Sequence, residues 1–440
     1  MTARTGLAAV AIVGTLACGD GGGPSTSQRE VEGARMNALA ERYVRLVLAL
    51  GQHDADYVDA YYGPPEWKPT GDKRPLADLD RDAVALEMEL GRAVPGPDRE
   101  ELVQLRHRYL VRQLASLRTR IAMLSGTRLS FDQESDALYD AVAPIRTEAD
   151  FAETVRALEA RLPGSGPLVD RYNRFRDRFT IPKDRLDATF RAAIAGCKAR
   201  TAAHVSLPAT ESFTVEYVTG KSWSGYNWYQ GGYRSLIQVN TDLPILVDRA
   251  IDLACHEGYP GHHVYNVLLE QHLVRERGWV EYSVYPLFSP QSLIAEGTAN
   301  YGIEVTFPLP ERLEFERRVI FPSAGLDPAG VEDYYAVMAL VDRLSYAGNE
   351  AARQYLDGKI DAKSAADLLV AWGLYSRPRA EQRVRFVDQY RSYVINYNLG
   401  KDLVAAHVTA LAGGDDASRW RAFEGLLSSP RLPSGLAPRR

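Results

Sequence analysis

The chain has 440 residues, 45% hydrophobic and 25% charged, with a formal net charge of -5. That is long enough for one large body or two to three lobes around a sizeable core. No basic run or aromatic-basic platform occurs, which excludes a nucleic-acid binder of the usual kind.

The N-terminus reads as an export signal. Arg4 supplies a minimal positive region, and the apolar stretch Leu7 to Ala17 is too short to span a bilayer. Residues 1–17 are expected to be removed. The boundary Thr15-Leu16-Ala17-Cys18 is similar to the lipobox of bacterial lipoproteins, in which the cysteine becomes the acylated first residue; Thr15 departs from the usual Leu. The expectation is an exported protein on the periplasmic side, held to the membrane only through a lipid on Cys18, with residues 18–29 as a tether. Cys197 and Cys255 remain, free to pair in an oxidising compartment, with Cys255 otherwise a small buried residue.

Residues 30–205 carry a helical pattern. Glu30 to Leu50 has apolar residues at helical spacing, and Arg99 to Leu124 is a long helix closed by Ser125-Gly126. Ser130 to Gln133 and Thr147 to Asp150 fit capping boxes, and Asp184 to Val205 reads as one more helix. The character changes at Ser206. Phe213 to Val218 alternates like a strand, and Gly231 to Asn240 has the β-branched and aromatic content of another. Leu243-Pro244 then opens a helix running into His256. Residues 206–310 thus form a core with a small sheet, and residues 311–440 are again helical. The fold class expected is mainly α with a small β-sheet (α+β).

The segment His256-Glu257-Gly258-Tyr259-Pro260-Gly261-His262-His263 holds three of the eight histidines, with a carboxylate directly after the first. Neutral imidazoles are good zinc ligands, and a carboxylate beside the metal can take a proton from water. On a regular helix two such ligands sit four residues apart, but that position is Pro260. His262 lies about 240° round an ideal helix from His256, and His263 lies about 10 Å up its axis. A two-residue bulge between Glu257 and Gly261, permitted by Pro260 and Gly261, would bring His262 to the vacant place. His256 and His262 are therefore expected as ligands, with His263 as the alternate. Glu296, on the helical segment Leu293 to Tyr301, is the expected third ligand. Asn300 and Asp252, each one turn from a ligand, are candidates to orient a histidine. Glu257 would be the general base. Arg391, Tyr393 and Tyr397 are candidate donors to an oxyanion, the two tyrosines sharing a helical face.

At these residues the chain resembles the bacterial domain-of-unknown-function family 885, whose signature reads His-Glu-Ala-x-Pro-Gly-His-His with a later Glu-Gly-Trp-Ala-Leu-Tyr. His256 to His263 and Glu296 to Tyr301 are the matching segments. The strand Gly232 to Asn240 and the segment Tyr393 to Gly400 also look like family elements, so the similarity spans roughly residues 210 to 400. Gly258 stands for Ala, Thr298 for Trp and Asn300 for Leu, departures that bear on cleft shape and leave the metal residues in place. The resemblance implies a gluzincin-like zinc metallopeptidase, with helical lobes flanking an active-site cleft and with His256, His262 and Glu296 on zinc beside catalytic Glu257. The expected partner is a peptide or a small amide, the strand Gly232 to Asn240 offering an edge to an extended peptide. A zinc hydrolase of a non-peptide amide or ester is the alternative, as is an inactive protein that retains the metal.

Overall fold

A computed structural model describes residues 26–436. The signal peptide, Cys18 and most of the expected tether lie outside the described residues. Helix α1 (Thr26–Gly51) begins inside the stretch expected as tether.

Helices make up 66% of the chain and strands 7%, the mainly α architecture with a small β content that the periodicity predicts. Helices α2 (Leu76–Gly91), α3 (Glu101–Leu124), α4 (Phe131–Tyr139), α5 (Glu148–Arg161), α6 (Leu168–Asp177) and α7 (Leu186–Ala202) fill the first half. Both capping boxes form. Ser130 Oγ accepts the Gln133 amide, and the Thr147 amide donates to Asp150 at 2.6 Å. This half is not wholly helical: strand β1 (Val58–Tyr61) pairs antiparallel with β5 (Val284–Pro286), far along the chain.

The second sheet has three strands, β2 (Ser212–Val218), β3 (Gly225–Gly231) and β4 (Arg234–Asn240), in the order β2-β4-β3. β4 runs parallel to β2 and antiparallel to β3. The segment expected to offer an edge is therefore interior, because β4 is hydrogen-bonded on both sides. The edges of this sheet among the described residues are β2 and β3, and of the two it is β3 that lines the cleft.

Beyond the sheet come α8 (Asp248–Leu253), α9 (His262–Leu268), α10 (Pro290–Thr306), α11 (Leu309–Phe315), α12 (Phe321–Ala324), α13 (Val331–Asp342), α14 (Ala347–Leu356), α15 (Ala362–Gly373), α16 (Arg377–Tyr390), α17 (Ile395–Ala412) and α18 (Asp416–Leu427). α8 starts four residues later than expected from Pro244. Leu246 is bridged to Thr180, and the Val247 amide donates to the Phe179 carbonyl at 2.9 Å, which holds that stretch extended.

One apolar core runs through all three parts of the sequence, from Tyr43 and Leu114 through Leu293 and Phe321 to Val408. Polar ties buried with it cross the same distance. Arg106 grips Glu281 through two hydrogen bonds of 2.6 and 2.9 Å, and the Tyr109 hydroxyl donates to Gln291. A charged pair taken from water at this depth is tolerable only with such bidentate geometry.

Candidate metal centre

Three elements converge on one wall of a cleft of ≈ 1210 Å³. The first is the turn carrying the histidines. α8 widens at its end into a π-helical turn, Ala254–Gly258, so that the Tyr259 amide reaches back to the Ala254 carbonyl at 3.1 Å. The chain then kinks through a cis Tyr259–Pro260 bond, and α9 starts afresh at His262. Gly261 makes this possible: its amide donates to the Cys255 carbonyl at 2.9 Å, and a Cβ there would stand 1.8 Å from the His256 carbonyl oxygen. Nothing larger fits. The extra residues are taken up in the turn and kink, and the two imidazoles meet with Nε2 atoms 3.2 Å apart.

The second element is α10, which brings Glu296 to the same point. Its Oε2 lies 3.2 Å from His256 Nε2 and 3.7 Å from His262 Nε2. Four tetrahedral ligands about ~2.0–2.1 Å from a zinc ion stand ~3.3 Å from one another, and these three separations are of that size. Two further observations fit a cation here. Glu296 Oε2 is buried and has no hydrogen-bond partner among the described residues. The tautomer of His256 is also fixed. Asn300 Nδ2 donates to the Tyr397 carbonyl at 3.2 Å, so its Oδ1 faces His256 Nδ1 at 3.2 Å. Nδ1 must then carry the proton, which leaves the lone pair of Nε2 directed at the cluster.

Among the side chains alone, burial would raise the Glu296 carboxyl, but the imidazoles of His256 and His262 beside it reverse this and hold it well below the usual carboxylate range. Burial lowers His262, and the adjacent Glu296 carboxylate outweighs that to push it up to about 9. The electrostatics thus favour a positive charge at the point of convergence. Glu257 also belongs to the cluster: its carboxylate and the two imidazoles have ligand atoms within 4.8 Å of one another. It is buried, its carbonyl accepts Asn227 Nδ2 of β3 at 2.7 Å, and its carboxylate packs against Gly225.

The third element is α17 with the short turn before it, Arg391–Val394. α10 and α17 touch through glycines, since a Cβ on Gly297 would stand 2.5 Å from the Gly400 carbonyl oxygen. That contact sets Tyr393 beside Glu296, and its hydroxyl donates to Oε1 at 2.8 Å. Tyr393 thus holds the Glu296 carboxylate in place rather than offering a free donor. Tyr397, its ring 5.8 Å away, lines the cleft, and its hydroxyl has no hydrogen bond among the described residues.

Other expectations need correction. His263 turns away from the cluster and is fully buried, with Nδ1 2.9 Å from Ser235 Oγ and Nε2 2.9 Å from Glu211 Oε2. Both nitrogens being engaged, it is not the alternate ligand. Burial raises Glu211, but its bonds to His263, Lys198 and Tyr259 bring it down to about 2. Arg391 is no oxyanion donor either, because its guanidinium is tied to buried Glu134 at 2.7 Å. Asp252 orients no histidine; it accepts from Arg312 at 2.7 Å. Cys255 is buried and bridged to Cys197, with Cα atoms 5.7 Å apart. Two cleft residues had no sequence signal. Asp59 of β1 is pushed up to about 7, chiefly by burial, and Tyr226 of β3 donates to its carbonyl at 3.3 Å.

No family model matches the chain, and no curated protein matches it. Among solved structures it is similar to a protein of Colwellia psychrerythraea provisionally assigned as a lipoprotein, with TM-score 0.51 and 14% identity over 84% of this chain and 69% of that one. A protein of unknown function from Shewanella oneidensis, also provisionally assigned as a lipoprotein, gives TM-score 0.46 and 12% identity over 81% and 72%. At such identity the first likeness speaks to fold alone. No helix among the described residues is long and apolar enough to cross a membrane.

Proposed function

We propose that the chain is a zinc-dependent hydrolase that cleaves peptide bonds in short peptides. The observation that carries this reading is the convergence of His256 Nε2, His262 Nε2 and Glu296 Oε2, with the Glu257 carboxylate beside them. These three would hold the ion, since each presents a lone pair to one point and imidazole with carboxylate suits zinc. When bound, zinc supplies Lewis acidity, making water a better nucleophile and a carbonyl a better electrophile at neutral pH. Glu257 then takes a proton from the attacking water and returns it to the leaving amine. The Tyr397 hydroxyl, free and facing the cleft, donates to the carbonyl oxygen as negative charge develops there. Asn300 and Tyr393 keep His256 and Glu296 aimed. The outer edge of β3 offers backbone groups to an extended substrate, in place of the interior β4.

Export as a lipoprotein belongs to the same proposal. Its supports are the lipobox-like Thr15 to Cys18, the provisional assignment of the Colwellia psychrerythraea protein, and the Cys197–Cys255 bridge, a feature of oxidising compartments.

The test is elemental analysis of the purified chain together with a screen of peptides, esters and other amides, on wild type and on Glu257→Gln. About one equivalent of zinc in both, with peptide cleavage lost by at least ~10³-fold in the variant, is expected from removal of the base and its electrostatic help. Equal turnover in the variant would remove the mechanism. Turnover of esters or other amides with every peptide intact would remove the peptidase reading.

A further inference from the structure

The arginines buried in this fold come with carboxylates. Arg106 has Glu281, Arg120 has Asp54, Arg312 has Asp252, and Arg353 has both Glu350 and Asp132. The pattern stops on α16, as it does at half-buried Arg176 of α6, which has no carboxylate partner among the described residues. Arg377, at the exposed start of α16, pairs with Asp367. Arg379 and Arg383, one turn apart and half-buried, both line the cleft that holds the histidine cluster, yet neither makes an ion pair or a hydrogen bond among the described residues. Arg383 Nε is buried without a partner.

Positive charge gathers around Arg379 instead of being cancelled. Burial lowers Arg379 most, the Tyr375 ring beside it opposes this, and the like charges of Arg176 on α6 and Arg249 on α8 lower it further. Arg249 is only loosely compensated: Asp252 stands 3.6 Å away and is shared with Arg312. The guanidinium groups do rest on aromatic rings, Arg379 5.5 Å from the Tyr375 centroid, Arg383 4.7 Å from that of Phe386 and 5.5 Å from that of Tyr397. Such stacking orients a guanidinium and leaves its fork of N–H donors free. Tyr397 joins this place to the proposed zinc site, for its hydroxyl feels Glu296 and Glu257 as well as Arg383.

We infer that Arg379 and Arg383 form an anion subsite of the cleft that takes a carboxylate of the substrate. A planar carboxylate matches the arginine fork, and binding one would supply the charge the cluster lacks. The inference rests on the hydrolase reading for the word substrate, but its test does not need turnover. The carboxylate could be a peptide's C-terminus or an acidic side chain, and the probes separate the two.

The probes are three acetylated tripeptides: Gly-Gly-Gly with a free carboxylate, the same peptide as its C-terminal amide, and Gly-Gly-Glu as its C-terminal amide. Binding to the zinc-loaded full chain is measured by calorimetry in a Glu257→Gln background, alone and combined with Arg379→Gln or Arg383→Gln. The single variants are used because each keeps one guanidinium over the rings, and thermal melts check their folding. A carboxylate-bearing probe should bind at least about tenfold more tightly than the plain amide, the effect of one hydrogen bond to a charged group. Arg383→Gln should bring that ratio close to one while the amide's affinity holds, and Arg383→Lys should recover part of it. A preference for the free acid assigns the subsite to a C-terminus, and a preference for the glutamyl amide assigns it to a side chain. Equal affinities, no binding by any probe, or a preference that survives both Gln variants would overturn the inference. A carboxylate preference without cleavage of any peptide would keep the subsite and remove the peptidase. Cleavage of acid and amide peptides alike, with equal binding, would do the reverse.

Discussion

His262 and His263 are neighbours in sequence with opposite surroundings, and replacing each in turn separates metal binding from folding. His262→Ala removes one of three converging donors, so zinc retention should be lost while the thermal melt shifts little. His263→Ala should keep zinc and destabilise the chain by about 1–3 kcal/mol, because buried Ser235 would lose its partner and Glu211 one of three, keeping only Lys198 and Tyr259. Metal analysis beside a denaturant titration reads both, and the opposite pattern would reverse the ligand assignment. The sequence could nominate this pair but not rank it with certainty. The groups that claim His263 lie 28 and 52 residues away in the chain, and a turn's local chemistry says nothing of them. Arg391 was misread for the same reason, its partner Glu134 being 257 residues distant. Asn300 and Glu296 were readable because helical spacing alone puts them on one face.

At the scale of elements, the contact of α10 with α17 sets the aim of Glu296. Gly297→Ala would push a methyl into the Gly400 carbonyl and force the helices apart. A cost of about 1–3 kcal/mol is expected for such overpacking. Zinc affinity, read by competition with a chelator, should weaken with it, since Glu296 is the preceding residue. An unchanged melt and an unchanged affinity would show that the crossing does not govern the site. Long helices such as α3 could be read from their periodicity. Among the small strands, β2 and β4 could be read from alternation and β-branched content, but β3 and β1 could not: β3 (Gly225–Gly231) has no β-branched residue, and β1 gains its partner only from residue 284 onward. Pairing with distant strands, more than local preference, defines such segments.

Two predictions concern the whole molecule. Glu316 is buried beside Arg312, Asp248 and Asp252, and burial pushes it up to about 8 from an ordinary 4.5. Across that window the folded chain keeps a proton that the unfolded chain releases, so this residue makes stability fall as pH rises from 4.5 to 8. Glu316→Gln should therefore gain on wild type as pH climbs, as read by chemical denaturation at several pH values; a constant difference would refute the assignment. The Cys197–Cys255 bridge closes a loop of 58 residues between α7 and the histidine turn. Replacing both cysteines by alanine should cost about 2–4 kcal/mol, measured in the same way. A variant as stable as wild type would deny the bridge a structural role.

That bridge ends one residue before His256, which has a practical consequence. Recombinant chain made in a reducing cytoplasm would present two free thiols next to an imidazole of the proposed zinc site, and thiolate sulfur is itself a good zinc ligand. Metal stoichiometry and specific activity should then depend on the host compartment chosen for expression, with secretion into an oxidising medium giving the homogeneous preparation.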